Sequence, residues 1–315
     1  MTNDGDLAGL IAAVMGVRSV SGLRRVSGGA SRETWLFDAD GRACAMTRLR
    51  SPRPGGMGAE VDVLSVAHAG GVRVPAVIVD GSKSDELGLP FMIVEAVEGE
   101  TIARRIQRDE RYAGARTVLV DQLAASLAAL HAVDPSTVPD LAEQDQLPLY
   151  RAVYESLGES HPVFDLAFRW LETNRPAPGS RAIVHGDFRL GNVIVDDRGL
   201  AAVLDWELAH VGDPMEDLGW LCVRAWRFGG TAPVAGLGSR EELFSAYERH
   251  AGVRPDAAVV RWWEIIGTLK WGVMCIQQAH THLSGAARSH ELAAIGRRES
   301  ENEWDLLNLI GEAVA

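Results

Sequence analysis

The chain has 315 residues, enough to bury a large core and to divide into two lobes. Its 47% apolar content is ordinary for a globular protein, its longest apolar stretches fall short of a membrane span, and residues 1–10 lack a basic segment ahead of an apolar one. A membrane protein is therefore not expected, and a cytoplasmic location follows by default. The formal charge of −12 argues against a nucleic-acid partner and favours neutral or cationic substrates.

The three cysteines, Cys44, Cys222 and Cys275, lie far apart in apolar surroundings without ligand spacing, so buried free thiols are expected. Lysine occurs only at Lys83 and Lys270, leaving arginine to carry nearly all the positive charge.

In chain order, residues 6–17 place Leu7, Leu10, Ile11 and Val14 at helical spacing. Two strand-like segments then flank the small-residue turn Ser27-Gly28-Gly29-Ala30-Ser31, where backbone N–H groups can approach phosphate oxygens unobstructed. Residues 41–49 alternate as a strand with Cys44, Met46 and Arg48 on one face. A Pro/Gly-rich connection at 52–58 leads to a helix over 60–69. Segments 72–79 and 89–94 read as strands, Pro75 marking an edge or an extended entry. Segment 91–102 begins apolar and ends polar. Helices follow over 116–133, with Val120, Leu123, Leu127 and Leu130 on one stripe, and over 162–174, with a loop at 134–148 between them.

The most informative stretch is 183–207. Short apolar runs at 182–184, 193–195 and 200–204, bounded by turn residues, read as strands. The loop between the first two holds Asp187 and Asn192, and Asp205 ends the third. Phosphoryl transfer uses such a trio: one carboxylate orients and deprotonates the attacking hydroxyl, while an amide oxygen and a second carboxylate hold magnesium on the nucleotide phosphates. Beyond it, Asp213 and Pro214 form a helix start, with Glu216 and Asp217 in the first turn. A small-residue loop at 229–238 precedes helices over 241–250, 256–283 and 290–314, the second rich in tryptophan.

His185-Gly186-Asp187 with Asn192, followed by Leu204-Asp205-Trp206-Glu207, resembles the H-G-D-x-x-x-x-N and I-D-W pattern of the aminoglycoside phosphotransferase and choline kinase group of small-molecule kinases. The resemblance implies an α+β, protein-kinase-like fold: a sheet-rich N-lobe over 1–94 and a mainly helical C-lobe over 95–315, with ATP and Mg2+ between them. It implies Asp187 as catalytic base and Asn192 and Asp205 as metal ligands. Ser27, Gly28, Gly29 and Ser31 would form the phosphate loop, with Arg32 where many members carry Asn. Arg48 would contact the phosphates and pair with Glu60, and backbone near Glu95 and Val97 would meet the adenine. His131 and Asp217 would be structural, Asp217 buttressing the catalytic loop. The acceptor would be a small hydroxylated molecule, neutral or cationic, held against helices that include residues 262–271.

Two other readings stand beside this one. A nucleotide-binding protein that has lost catalysis is kept open by arginine in place of lysine at position 48. A protein kinase is disfavoured because no A-P-E segment follows Asp205.

Overall fold

A computed structural model describes residues 4–26, 32–52 and 56–314, with side chains from Leu7 onward. Ser27, Gly28, Gly29 and Ser31 lie outside the described residues.

Helix α1 (Asp4–Met15) precedes strands β1 (Val20–Val26), β2 (Arg32–Ala39) and β3 (Arg42–Leu49). Helix α2 (Gly58–Ala69) and strands β4 (Val77–Gly81) and β5 (Phe91–Glu95) complete an antiparallel sheet of order β1-β2-β3-β5-β4. Side chains alternate across such a sheet, so it has two distinct apolar faces. Trp35, Phe37, Cys44, Met46, Phe91 and Ile93 pack on the outer face with Leu7 and Ile11 of α1. Leu49, Met92 and Val94 line the inner face with Val61 and Leu64 of α2, in a core continuous with the rest of the chain. The segment ahead of β4 is not strand: proline at 75 withholds a ladder donor, and pairing starts only at Val77.

After β5 the chain is mainly helical: α3 (Ala103–Arg108), α4 (Ala113–His131), α5 (Gln146–Leu157) and α6 (Pro162–Thr173). Strand β6 (Ala182–Val184) pairs with β9 (His210–Gly212), and β7 (Val193–Asp196) forms a hairpin with β8 (Gly199–Val203). Helices α7 (Met215–Cys222), α8 (Arg240–Ala251), α9 (Ala257–Leu283), α10 (His290–Gly296) and α11 (Glu299–Val314) follow. Helix α9 runs 27 residues through a second core, where Trp262, Ile265, Leu269 and Val273 meet Phe164, Phe168 and Leu171 of α6. Each such fully buried side chain contributes roughly 1.5–3 kcal/mol relative to exposure.

The sequence pattern missed α3, α5 and β9, and it read 290–314 as one helix where there are two. The break falls after Gly296, which packs so close to Ala279 of α9 that a Cβ would collide. Helix α10 is pinned there, and α11 restarts against α6 and α9. Cys44, Cys222 and Cys275 are buried free thiols, as expected.

Candidate active site

Strand β6 delivers the chain into a tight loop. Gly186 takes φ 79°, and a Cβ on it would strike the Leu208 carbonyl, which explains glycine here. His185 is buried against Trp206, with ring centroids 4.5 Å apart. Its Nε2–H donates to the Leu204 carbonyl at 3.0 Å and its Nδ1 accepts from the Asp187 N–H at 3.2 Å. Burial lowers its pKa, so a neutral imidazole stitches the loop to the end of β8.

The loop closes around Asp187. Asn192 Nδ2 donates to the Asp187 carboxylate at 2.6 Å and to its carbonyl at 3.0 Å. Trp220 Nε1 of α7 donates at 2.8 Å, and Arg189 Nε at 3.0 and 3.3 Å. The Asn192 carbonyl accepts the Leu204 N–H at 2.8 Å, which sets Asp205 beside the loop. Asp205 adopts φ 65°, a left-handed conformation that Asp tolerates better than most residues. Although the residue reaches solvent, its pKa is raised to about 6, first by partial desolvation of the carboxylate and then by the carboxylates of Glu207 and Asp187, against which Arg32 acts only in part. Among the described residues no group hydrogen-bonds the Asp205 carboxylate. A carboxylate crowded by carboxylates and lacking a donor suits a divalent cation, and Asn192, whose Nδ2 is engaged, has its Oδ1 left for the same ion.

Beneath the loop lies a buried scaffold. The Asp217 carboxylate accepts from the His185 N–H at 2.8 Å and the Gly186 N–H at 3.0 Å, and meets His131 Nε2 at 3.2 Å. His131 is held in turn by Tyr247 at 2.9 Å. Burial alone would raise the Asp217 pKa, but His131, His185 and the backbone donor hold it below the ordinary value. Lys270 of α9 donates to the Gly186 carbonyl at 3.0 Å and lies 3.5 Å from Glu216, which also meets His210 at 3.1 Å. Burial would lower the Lys270 pKa, yet Glu216 and nearby acids raise it, so the ammonium stays charged under the loop.

The N-lobe side requires a correction. Arg48 does not meet Glu60. It shares the outer face of the sheet with Cys44 and Met46, and it hydrogen-bonds Glu33, its partner across the β2–β3 ladder, and the Leu87 carbonyl at 2.7 Å. Glu60 is paired instead with Arg32, whose two terminal nitrogens grip it at 2.6 and 2.8 Å. Arg32 lies opposite Leu49 on the inner face and also reaches Glu207 at 3.1 Å. Glu95 ends β5 with its side chain on Arg42 at 2.8 Å, and Val97 lines a cavity of about 730 Å³ with Arg73, Gly99 and Gln122.

Of the stretch 262–271 expected to hold an acceptor, Trp262 and Trp263 are buried core residues, whereas Trp271 joins an aromatic group near the loop. The aromatic group near Asp187 is Trp220, Trp226 and Trp271, with neighbouring centroids 5.2 and 4.7 Å apart and the Arg189 guanidinium 4.6 Å over Trp226. Phe228 packs beside Trp226 and borders a cavity of about 690 Å³ whose walls include Arg104, Arg224, Arg298 and Trp304. Arg189, Glu207, Trp220 and Lys270 carry no site role in the sequence reading, and Arg32 stands there only as a substitute, with Arg50, for Arg48 at the phosphates. The available signals were the basic residue two positions after Asp187, the acid two positions after Asp205, and one lysine inside an apolar helix.

This sheet-over-helices architecture with its H-G-D loop defines a protein-kinase-like phosphotransferase. The chain matches the model of the phosphotransferase enzyme family over residues 22–260, and it belongs to that family. A putative aminoglycoside phosphotransferase from Ralstonia eutropha JMP134 shares the fold, with TM-score 0.75 at 23% identity over 95% of this chain and 97% of that one. So does an aminoglycoside phosphotransferase crystallised with GDP and kanamycin, with TM-score 0.70 at 15% identity over 94% and 98% of the two chains. Acyl-CoA dehydrogenase family member 11 of Rattus norvegicus is 27% identical over 76% of this chain, which spans only 34% of that relative's length. No helix among the described residues is long and apolar enough to cross a membrane.

Proposed function

We propose that this chain transfers the γ-phosphoryl group of ATP, with Mg2+, to a hydroxyl of a small molecule. The observation that carries this reading is the junction of Asp187, Asn192 and Asp205, tied by the 2.6 Å Asn192–Asp187 bond and the 2.8 Å bond from the Leu204 N–H to the Asn192 carbonyl. Asp187 is the base. An ionised carboxylate offers about four lone-pair sites, so with Asn192, Trp220 and Arg189 as donors it still has room for the acceptor hydroxyl, whose proton it orients and takes. Asn192 and Asp205 hold the divalent cation, which when bound neutralises charge on the transferring phosphate. Ser27, Gly28, Gly29 and Ser31 provide phosphate contacts, and backbone at Glu95 and Val97 meets the base. Catalysis by these residues is chiefly positioning and charge neutralisation.

The acceptor is small and hydroxylated, and it packs on the Trp220–Trp226–Trp271 side of the loop. The net charge of −12 favours a neutral or cationic molecule. The neighbouring cavity wall is nearly balanced, because Arg224 closes on Asp305 at 2.9 Å and Arg298 on Glu301 at 3.0 Å. A neutral acceptor suits both. Loss of catalysis gains no support from Arg48, since Arg32 already supplies the cation that meets Glu60. No dehydrogenase chemistry is proposed, because the rat relative's name describes a protein of which this chain spans 34%.

The test is a panel of hydroxylated metabolites and aminoglycosides scored for ADP and GDP release. Acceptor-dependent release that disappears in Asp187→Ala supports the reading. A chain that binds nucleotide yet phosphorylates nothing across a broad panel argues for the catalytically silent alternative.

A further inference from the structure

We propose that Arg32 of β2, rather than any residue of β3, is the cation that the N-lobe presents to the nucleotide phosphates. The inference rests on the phosphotransferase reading above and assigns a further residue to the same site.

The argument begins with strand parity. A sheet has two faces, and a residue's face is set by whether its position is odd or even along the strand. Cys44, Met46 and Arg48 share one parity on β3, and Cys44 and Met46 are sealed under α1. Arg48 is committed on that side to Glu33 and the Leu87 carbonyl. It could enter the cleft only if β3 slipped by one residue, which would turn the apolar core outward. The inner-face positions of β3 are Ala43, Ala45, Thr47 and Leu49, and none carries charge. Arg50 is exposed beyond the strand's end. Lys83 lies in the turn after β4, and Lys270 is buried beneath the catalytic loop.

Arg32 has the opposite parity from Glu33 and Trp35 and therefore faces inward. It is only 8% exposed. Burying a guanidinium is expensive unless it is paired, and here the pairing has a direction. Glu60 takes both terminal nitrogens in a bidentate fork at 2.6 and 2.8 Å, a geometry that fixes the guanidinium plane. The second contact, from the same Nη2 to Glu207, is longer at 3.1 Å and half open to solvent, with the Glu207 side chain 32% exposed. The Nε has no acceptor among the described residues.

Glu60 is therefore a permanent anchor on α2, whereas the Glu207 arm and the Nε are the parts of the fork available to another anion. Glu207 lies two residues beyond Asp205, so the fork already spans from the N-lobe helix to the edge of the proposed metal ligands. With a metal ion on Asp205 and Asn192, the outer arm of Arg32 would be left to a phosphate oxygen.

The test measures equilibrium binding, in the presence of Mg2+, of whichever of ATP and GTP the wild type prefers, beside its parent nucleoside. Arg32→Ala should weaken triphosphate binding roughly ten- to a hundredfold, the range for losing a charge-assisted contact, and leave nucleoside binding within about twofold. Arg32→Lys should recover part of the loss, since an ammonium cannot reproduce the fork. Arg48→Ala should leave the triphosphate preference intact.

Because removing one member of a buried pair can unfold the lobe, the double variant Arg32→Met/Glu60→Met is measured as well. Replacing both partners with apolar residues is often neutral for stability, so it should fold and still lose the triphosphate preference. The proposal is overturned if Arg32→Ala or the double variant keeps wild-type preference for the triphosphate, or if Arg48→Ala abolishes it. A wild type that does not distinguish triphosphate from nucleoside would sink the phosphotransferase reading itself along with this one.

Discussion

Replacing Asp217 with alanine tests the scaffold beneath the catalytic loop. The change leaves the His185 and Gly186 N–H groups, at 2.8 and 3.0 Å from the carboxylate, without an acceptor in a fully buried site, and it strips His131 of one of its two partners. Each orphaned buried donor costs about 1–3 kcal/mol, and because the three bonds share one carboxylate the total is about 3–5 kcal/mol rather than a simple sum. With an unfolding entropy of about 2.1 cal/mol/K per residue over 315 residues, the melting temperature should fall by about 5–8 °C. Asp217→Asn keeps the volume and one acceptor and should cost about half as much.

The pH dependence has a defined sign. The folded-state pKa of Asp217 lies below its ordinary value, so its contribution is complete above the unfolded value near 4 and is lost as pH falls toward the folded value. The gap in melting temperature between wild type and Asp217→Ala should therefore stay constant from about pH 5 to 7 and shrink below about pH 4. Thermal melts across that range provide the measurement. An Asp217→Ala variant that melts within about 1 °C of wild type would show that the loop does not depend on this carboxylate.

Other substitutions separate the remaining roles. Asp187→Ala should abolish phosphoryl transfer while nucleotide binding stays nearly intact, whereas Asp205→Ala should weaken Mg2+-dependent nucleotide binding; equal loss of nucleotide affinity in both contradicts the division. Lys270→Met should destabilise the protein by about 3 kcal/mol in urea titrations, because it exposes Glu216 to burial with only His210 opposite and leaves the Gly186 carbonyl without its donor. Adding Glu216→Gln should return part of that stability, and no recovery would mean the pair is not coupled. For the acceptor, small neutral or cationic alcohols should be phosphorylated in preference to a nucleic acid, and the reverse order in a competition assay would rule out the assignment.

Much of the fold was legible because its signals are local. Helices α1, α2, α4, α6, α8 and α9 announce themselves by periodicity, and the strands around the catalytic loop by short apolar runs between turn residues. Helix α5 was hidden because its first residues sit in a proline- and acid-rich segment, where the Asp145 cap, accepting from Leu147 N–H at 3.2 Å, overrides the loop-like composition. Strand β9 was hidden because three residues carry no periodicity, and only pairing with β6 makes them a strand.

The sequence by itself determined which residues the loop brings together. Asp187 and Asn192 are five residues apart, and a tight turn between two strands brings groups at that spacing together, here within bonding distance at 2.6 Å. Only the tertiary structure decided which arginine faces the cleft. Arg48 and Arg32 are both arginines near the end of a strand, and nothing local distinguishes them. The difference arises from the β2–β3 register, which sets Glu33 against Arg48 on the face covered by α1 and leaves Arg32 on the face that meets Glu60 of α2. Lys270 is a similar case, since its bond to Gly186 spans 84 residues and exists only because α9 packs under the loop. Spacing along the chain determines what a turn can assemble, whereas the face a strand residue occupies, and the loop a buried cation supports, follow from how the layers pack.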